Sequence, residues 1–145
     1  MNSTNTNHLE DFKINVKIKL SLLWTSVTFI YLYGDYFELY VPQKTQGLVD
    51  GNNLLDSPMK LFFAALLLAI PAFMIVLSFV LKPKMSRILN LIFGIFFTLM
   101  MLLIAVTSIQ SSAWRAFYVF YAILESSITA IIVWNAFKWP TQKRN

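Results

Sequence analysis

The chain has 145 residues and a formal net charge of +5, from 12 Lys and Arg against 7 Asp and Glu. Apolar residues make up 57% and charged residues only 13%, against about 25% charged in an ordinary soluble domain, and mean hydropathy is +0.61; a water-soluble globule is excluded. Cysteine is absent, so disulfides, thiolate metal sites and redox thiols are excluded too, and the length leaves room for one domain of a few membrane spans at roughly 20 residues each.

Residues 1–19 read as a disordered cytoplasmic tail, polar from Met1 to Phe12, followed by a basic juxtamembrane run in which Lys13, Lys17 and Lys19 alternate with Ile14, Val16 and Ile18. A secretory signal peptide does not fit this end. The apolar stretch continues through Trp24, Phe29 and Tyr31 with no small-residue cleavage pattern behind it. Residues 20–139 read as four transmembrane helices. They cover about 20–41, stopping at Pro42; 61–81, after the N-cap and first-turn pair Ser57-Pro58; 88–109; and 116–137, stopping before Pro140. At 1.5 Å per residue each spans roughly 30 Å, the thickness of the hydrocarbon core. Backbone polar groups in lipid must be satisfied within the segment, which requires helices. Residues 140–145 form a short basic C-terminal tail. The expected fold class is all-α, an integral membrane four-helix bundle.

Orientation follows from Lys and Arg in the connections. One side has nine: Lys13, Lys17, Lys19, Lys82, Lys84, Arg87, Lys138, Lys143 and Arg144; the other has three, Lys44, Lys60 and Arg115. Both termini are therefore expected in the cytoplasm. Charge spread along a membrane rim argues against a nucleic-acid partner; the bilayer is the expected one. Trp114, Trp134, Trp139 and Tyr40 sit where interfacial anchors belong. The outer connection, residues 42–58, contains Asp50-Gly51-Asn52-Asn53. That four-residue run lacks the remaining ligand spacing of a calcium loop and reads as a plain turn.

Acids inside spans cost about 2.5–3.5 kcal/mol each on insertion scales, which makes Asp35, Glu38 and Glu125 the most informative residues. Trp24, Thr28, Tyr31, Asp35 and Glu38 fall within an arc of about 80° on a helix. Tyr118, Tyr121, Glu125 and Thr129 likewise share one face of the last span. Two such stripes are expected to meet inside the bundle. No Lys or Arg lies within a span to neutralise the acids; Arg115 is the nearest. Glu125 is thus expected to carry its proton or to be held by Tyr, Trp and Thr donors. Gly34 reads as a break in the helix beside Asp35. Pro71 is expected to kink the second span, and Ala122, Ser126 and Ala130, with Ala65 and Ala69, read as small-residue seams. Phe93, Phe96, Phe97, Met100 and Met101 read as lipid-facing or packing surface.

Phe29-Ile30-Tyr31-Leu32-Tyr33-Gly34-Asp35, Ile70-Pro71, the turn Lys82-Pro83-Lys84, and Tyr118-Val119-Phe120-Tyr121-Ala122-Ile123-Leu124-Glu125 leading to Ile132-Val133-Trp134-Asn135-Ala136-Phe137-Lys138-Trp139 together resemble a family of small four-span bacterial membrane proteins known only as a domain of unknown function. The resemblance implies a bacterial inner-membrane protein and supplies no activity; the family's Tyr-Asp and Glu features match Asp35 and Glu125.

Two functional readings follow. In one, the acids on two helices fix bundle packing in a non-catalytic multi-pass protein, with a second copy or a membrane-complex subunit as partner. In the other, Glu125 and Asp35, with Tyr31, Tyr121 and Glu38 around them, serve a small proton- or cation-coupled transporter. Small multidrug transporters also combine four short spans with a membrane Glu, but theirs lies in the first span. Enzymatic activity is not expected: the one histidine, His8, lies in the tail, and the sequence contains no nucleophile elbow, phosphate loop or metal-ligand motif. No catalytic residue, metal or cofactor is assigned.

Overall fold

The computed structural model describes residues 12–109 and 113–141. The polar tail before Phe12, with His8, and the basic residues Lys143 and Arg144 lie outside them. Among the described residues the chain is helical with no strand. It runs α1 (Val16–Glu38), α2 (Lys44–Val49), α3 (Pro58–Val80), α4 (Pro83–Ser108), a 3-10 turn (Ala113–Arg115) and α5 (Ala116–Phe137).

Local chemistry sets the helix ends. Asn15 caps α1 by accepting from the Lys17 amide at 3.0 Å. Ser57 caps α3 by accepting from the Lys60 amide at 3.3 Å, and Pro58 occupies the first turn, where no amide is needed. The last carbonyls of a helix need donors, and two basic side chains supply them from neighbouring helices. The Lys17 ammonium donates to the carbonyls of Phe79 and Leu81 at the end of α3. The Arg87 guanidinium donates to those of Ala136 and Phe137 at the end of α5. These bonds gather the start of α1, the α3–α4 turn and the finish of α5 at one end of the molecule, here the terminal end. The connection containing α2 and the α4–α5 connection form the loop end.

Three helical segments are long and apolar enough to cross a membrane: Pro58–Val80, Pro83–Ser108 and Ala113–Phe137. The expected first span is not among them. α1 starts and stops earlier than the predicted 20–41, which brings Lys17 and Lys19 into the helix, and Tyr, Thr, Ser and acidic side chains dilute the rest. It has the same 23 residues as α3 and lies between α3 and α5. α4 packs most closely on α5 and touches α3 only lightly. The core is Leu20, Trp24, Val27, Met74, Phe97 and Ile132, with the Trp24 ring edge-on to Phe97 at 5.9 Å between centroids. Outside it, the surface is broadly apolar: Leu22, Phe29 and Leu32 on α1, Phe62 and Phe73 on α3, and Leu99 and Leu103 on α4 are all exposed. So large an apolar surface suits lipid contact rather than water.

Some local expectations are met and others are corrected. Gly34 does not break α1, which continues to Glu38; i→i−4 bonding on both sides carries the helix through. α3 continues as helix on both sides of the buried Pro71, which is compatible with the expected kink. Of the small residues in the expected seams, Ala122 and Ser126 are buried, but Ala130 and Ala65 are exposed. α4 approaches α5 closely at Gly94, where an added Cβ would stand 2.8 Å from Val133 Cγ2. Phe97 and Met101 belong to the interior. Asp50-Gly51-Asn52-Asn53 is turn and bend as expected, with Gly51 at φ 71°; the short helix α2 precedes it in the same connection, entered through Gln43 at φ 66°.

Candidate functional site

The stripes of α1 and α5 meet. Tyr31 and Asp35 from α1 and Tyr118, Tyr121 and Glu125 from α5 line one cavity in the loop-end half, closed on the α4 side by Met101 and Ile104. Its volume is about 30 Å³, room for a water or two. Helical periodicity explains why these residues converge: positions i, i+3, i+4 and i+7 of each helix face the other. Gly34 lies at the cavity wall, where an added Cβ would make ordinary van der Waals contact with Tyr121 Cδ2 at 3.9 Å.

The acids behave differently from one another. Glu125 is buried, at 4% exposure. Asp35 is exposed and lies at the cavity's rim, so buried acids on two helices reduce to one buried acid and one at the mouth. The fully buried Tyr31 hydroxyl has no hydrogen-bonding partner among the described residues; neither carboxyl is paired with a described side chain, but both open onto the cavity space. Glu38, the outermost acid, is half-buried and pairs with Lys44 of the outer connection. That cation comes from α2, which folds Lys44 back over the end of α1, a partner the sequence expectation lacked. Phe37 and Tyr121 stack above the cavity with centroids 6.4 Å apart, and Tyr36 and Tyr40 share a hydroxyl–hydroxyl bond of 2.7 Å beside them.

A second polar cluster, not foreseen from the sequence, lies in the terminal-end half. Trp24 Nε1 donates to Asn90 Oδ1 at 2.7 Å. Asn90 Nδ2 donates to Ser78 Oγ at 3.0 Å and to the Ser86 carbonyl at 2.8 Å, and Ser86 Oγ donates to the Ser78 carbonyl at 2.9 Å. Trp24, Ser78, Ser86 and Asn90 are all fully buried, and the cluster ties α1, α3 and α4 together. The available signal was Asn90 itself, an amide within an apolar helix. At the α4–α5 seam, Thr98 Oγ1 and Thr129 Oγ1 are 2.8 Å apart, adding a polar link below Glu125.

Among the described residues no group of three or more His, Cys, Asp or Glu side chains is placed to hold a metal ion. The polar groups that line the cavity are the carboxyls of Asp35 and Glu125 and the phenols of Tyr31, Tyr118 and Tyr121. A family model covers residues 8–145 of the chain. The chain belongs to the family of unknown function DUF6326. The match takes in α1 to α5 and both polar clusters, so the family unit is the whole helical assembly. No curated protein and no solved structure matches it.

Proposed function

We propose that this is a non-catalytic multi-pass membrane protein whose α1 crosses the bilayer beside the other three helices, and that the Glu125 cavity binds a proton or small monovalent cation as part of a transport cycle. The observation that carries the reading is the buried Glu125 carboxyl without a hydrogen-bond partner, in a cavity whose rim bears Asp35. A buried carboxyl that no protein cation or donor compensates favours its own proton, a cavity water or a positive ion as the group that completes it. Support for four spans comes from the equal lengths of α1 and α3, from contacts that follow α1 from Lys17 to Gly34, and from the apolar outward face of α1. The excess of Lys and Arg at the terminal end supports cytoplasmic termini, in a bacterial inner membrane as the motif resemblance implies.

The packing role first considered for the acids has less support. Neither Asp35 nor Glu125 bonds across helices with its side chain among the described residues, and Asn90 fills that role instead. The test is proton flux into liposomes that hold the purified full chain and an internal pH dye, driven by a potassium diffusion potential. Wild-type chain is expected to carry flux, Glu125→Gln to lose at least tenfold of it, and Asp35→Asn to lose less. Equal flux in wild type and both variants would sink the proposal.

A further inference from the structure

At the terminal end, away from the Glu125 cavity, a groove of about 510 Å³ runs between the segment leading into α1 and the last turn of α5. Its charged residues are Lys13, Lys19 and Lys138, and its apolar walls include Phe12, Ile14 and Trp134. The basic residues at this end differ in what occupies them. Lys17 and Arg87 hold helix-terminal carbonyls. Lys138 lies over the exposed Trp134 ring, 3.9 Å from its centroid, and Lys13 and Lys19 have no acidic partner among the described residues. No described carboxylate lines the groove.

We propose that this groove binds the headgroup of an anionic phospholipid, with its phosphate among Lys13, Lys19 and Lys138 and the adjoining acyl chain against Phe12, Ile14 and Trp134. Ammonium groups that no described carboxylate pairs favour a negative headgroup, and an aromatic ring with one apolar face and one wet edge belongs at the depth where headgroup meets hydrocarbon. The opening between helix ends, lined by both ammonium groups and apolar side chains, fits an amphiphile better than a free anion. The inference rests on the membrane reading and is independent of proton or cation binding at Glu125.

The test is native mass spectrometry of the full chain extracted from bilayers of equal parts phosphatidylcholine and phosphatidylglycerol. Wild-type chain should retain phosphatidylglycerol over phosphatidylcholine, and each lysine removed by Lys13→Gln, Lys19→Gln or Lys138→Gln should weaken that retention by about fivefold. Lys82→Gln with Lys84→Gln, at the same end but outside the groove, should leave retention as it is. If that pair weakens retention as much as the groove variants, a diffuse surface potential replaces the site and the proposal fails. Displacement of the lipid by millimolar inorganic phosphate would overturn the lipid assignment in favour of a free anion. Wild-type chain with no headgroup preference overturns the proposal whether or not the variants fold. Release of the chain from membranes by an alkaline carbonate wash would instead sink the membrane reading on which it stands.

Discussion

The two polar clusters of this bundle lie in opposite halves of the same helices and are built on opposite terms. In the terminal-end cluster the Asn90 amide accepts from Trp24 and donates to Ser78 and Ser86, so a polar group in an apolar core has its bonds met by protein. In the loop-end cavity Glu125 and the Tyr31 hydroxyl have no such partners among the described residues, although both face a space that admits water. A satisfied buried network fixes which helices meet and in what register. An unsatisfied one costs stability and persists where a ligand, a proton or solvent completes it. The contrast separates a polar cluster that holds the fold from one available for chemistry.

The sharpest way to break that contrast is Asn90→Ala. It strips partners from Trp24 and Ser78 in a fully buried site, and should destabilise the bundle by about 2–4 kcal/mol, read as a lowered melting temperature in detergent. If the melting temperature holds, the terminal-end cluster is not what joins α1, α3 and α4. Gly94→Ala tests the α4–α5 seam on which the cavity wall depends. With a Cβ 2.8 Å from Val133, it should cost about 1–3 kcal/mol in the same melt, and a neutral result would mean that the helices separate there at little cost. Tyr31→Phe removes a buried hydroxyl that no described side chain satisfies. It should leave stability unchanged or raise it by up to about 1 kcal/mol, the opposite sign to Asn90→Ala, while lowering flux. A clear loss of stability would instead reveal a bound group holding the hydroxyl. Smallest of all, Glu125→Gln should move stability by no more than about 0.5 kcal/mol, because the carboxyl makes no interhelical bond to lose. A drop several times larger would return Glu125 to a packing role and remove the contrast between the two halves.

The amino-acid sequence by itself determined the long helices, the start at Ser57-Pro58, the last helix at 116–137 and the two polar stripes on α1 and α5, because helical periodicity and helix-end chemistry are local properties that short windows of residues carry. Membership of a family without an assigned activity was likewise legible, in motifs around Asp35 and Glu125. Only the tertiary structure decided which acid is buried. Asp35 and Glu125 occupy similar positions on their stripes, but α5 is enclosed by α1 and α4, whereas Asp35 lies at the rim. It also decided that Lys44 neutralises Glu38, since the fold of the outer connection brings a loop cation back over α1. The Asn90 network was illegible for the same reason. Its members come from three helices, and no single helix shows that a serine near the end of one, a serine at the start of the next and a tryptophan on a third converge on one amide. Burial and partnership depend on which helices become neighbours, and that is fixed by the packing of the whole assembly.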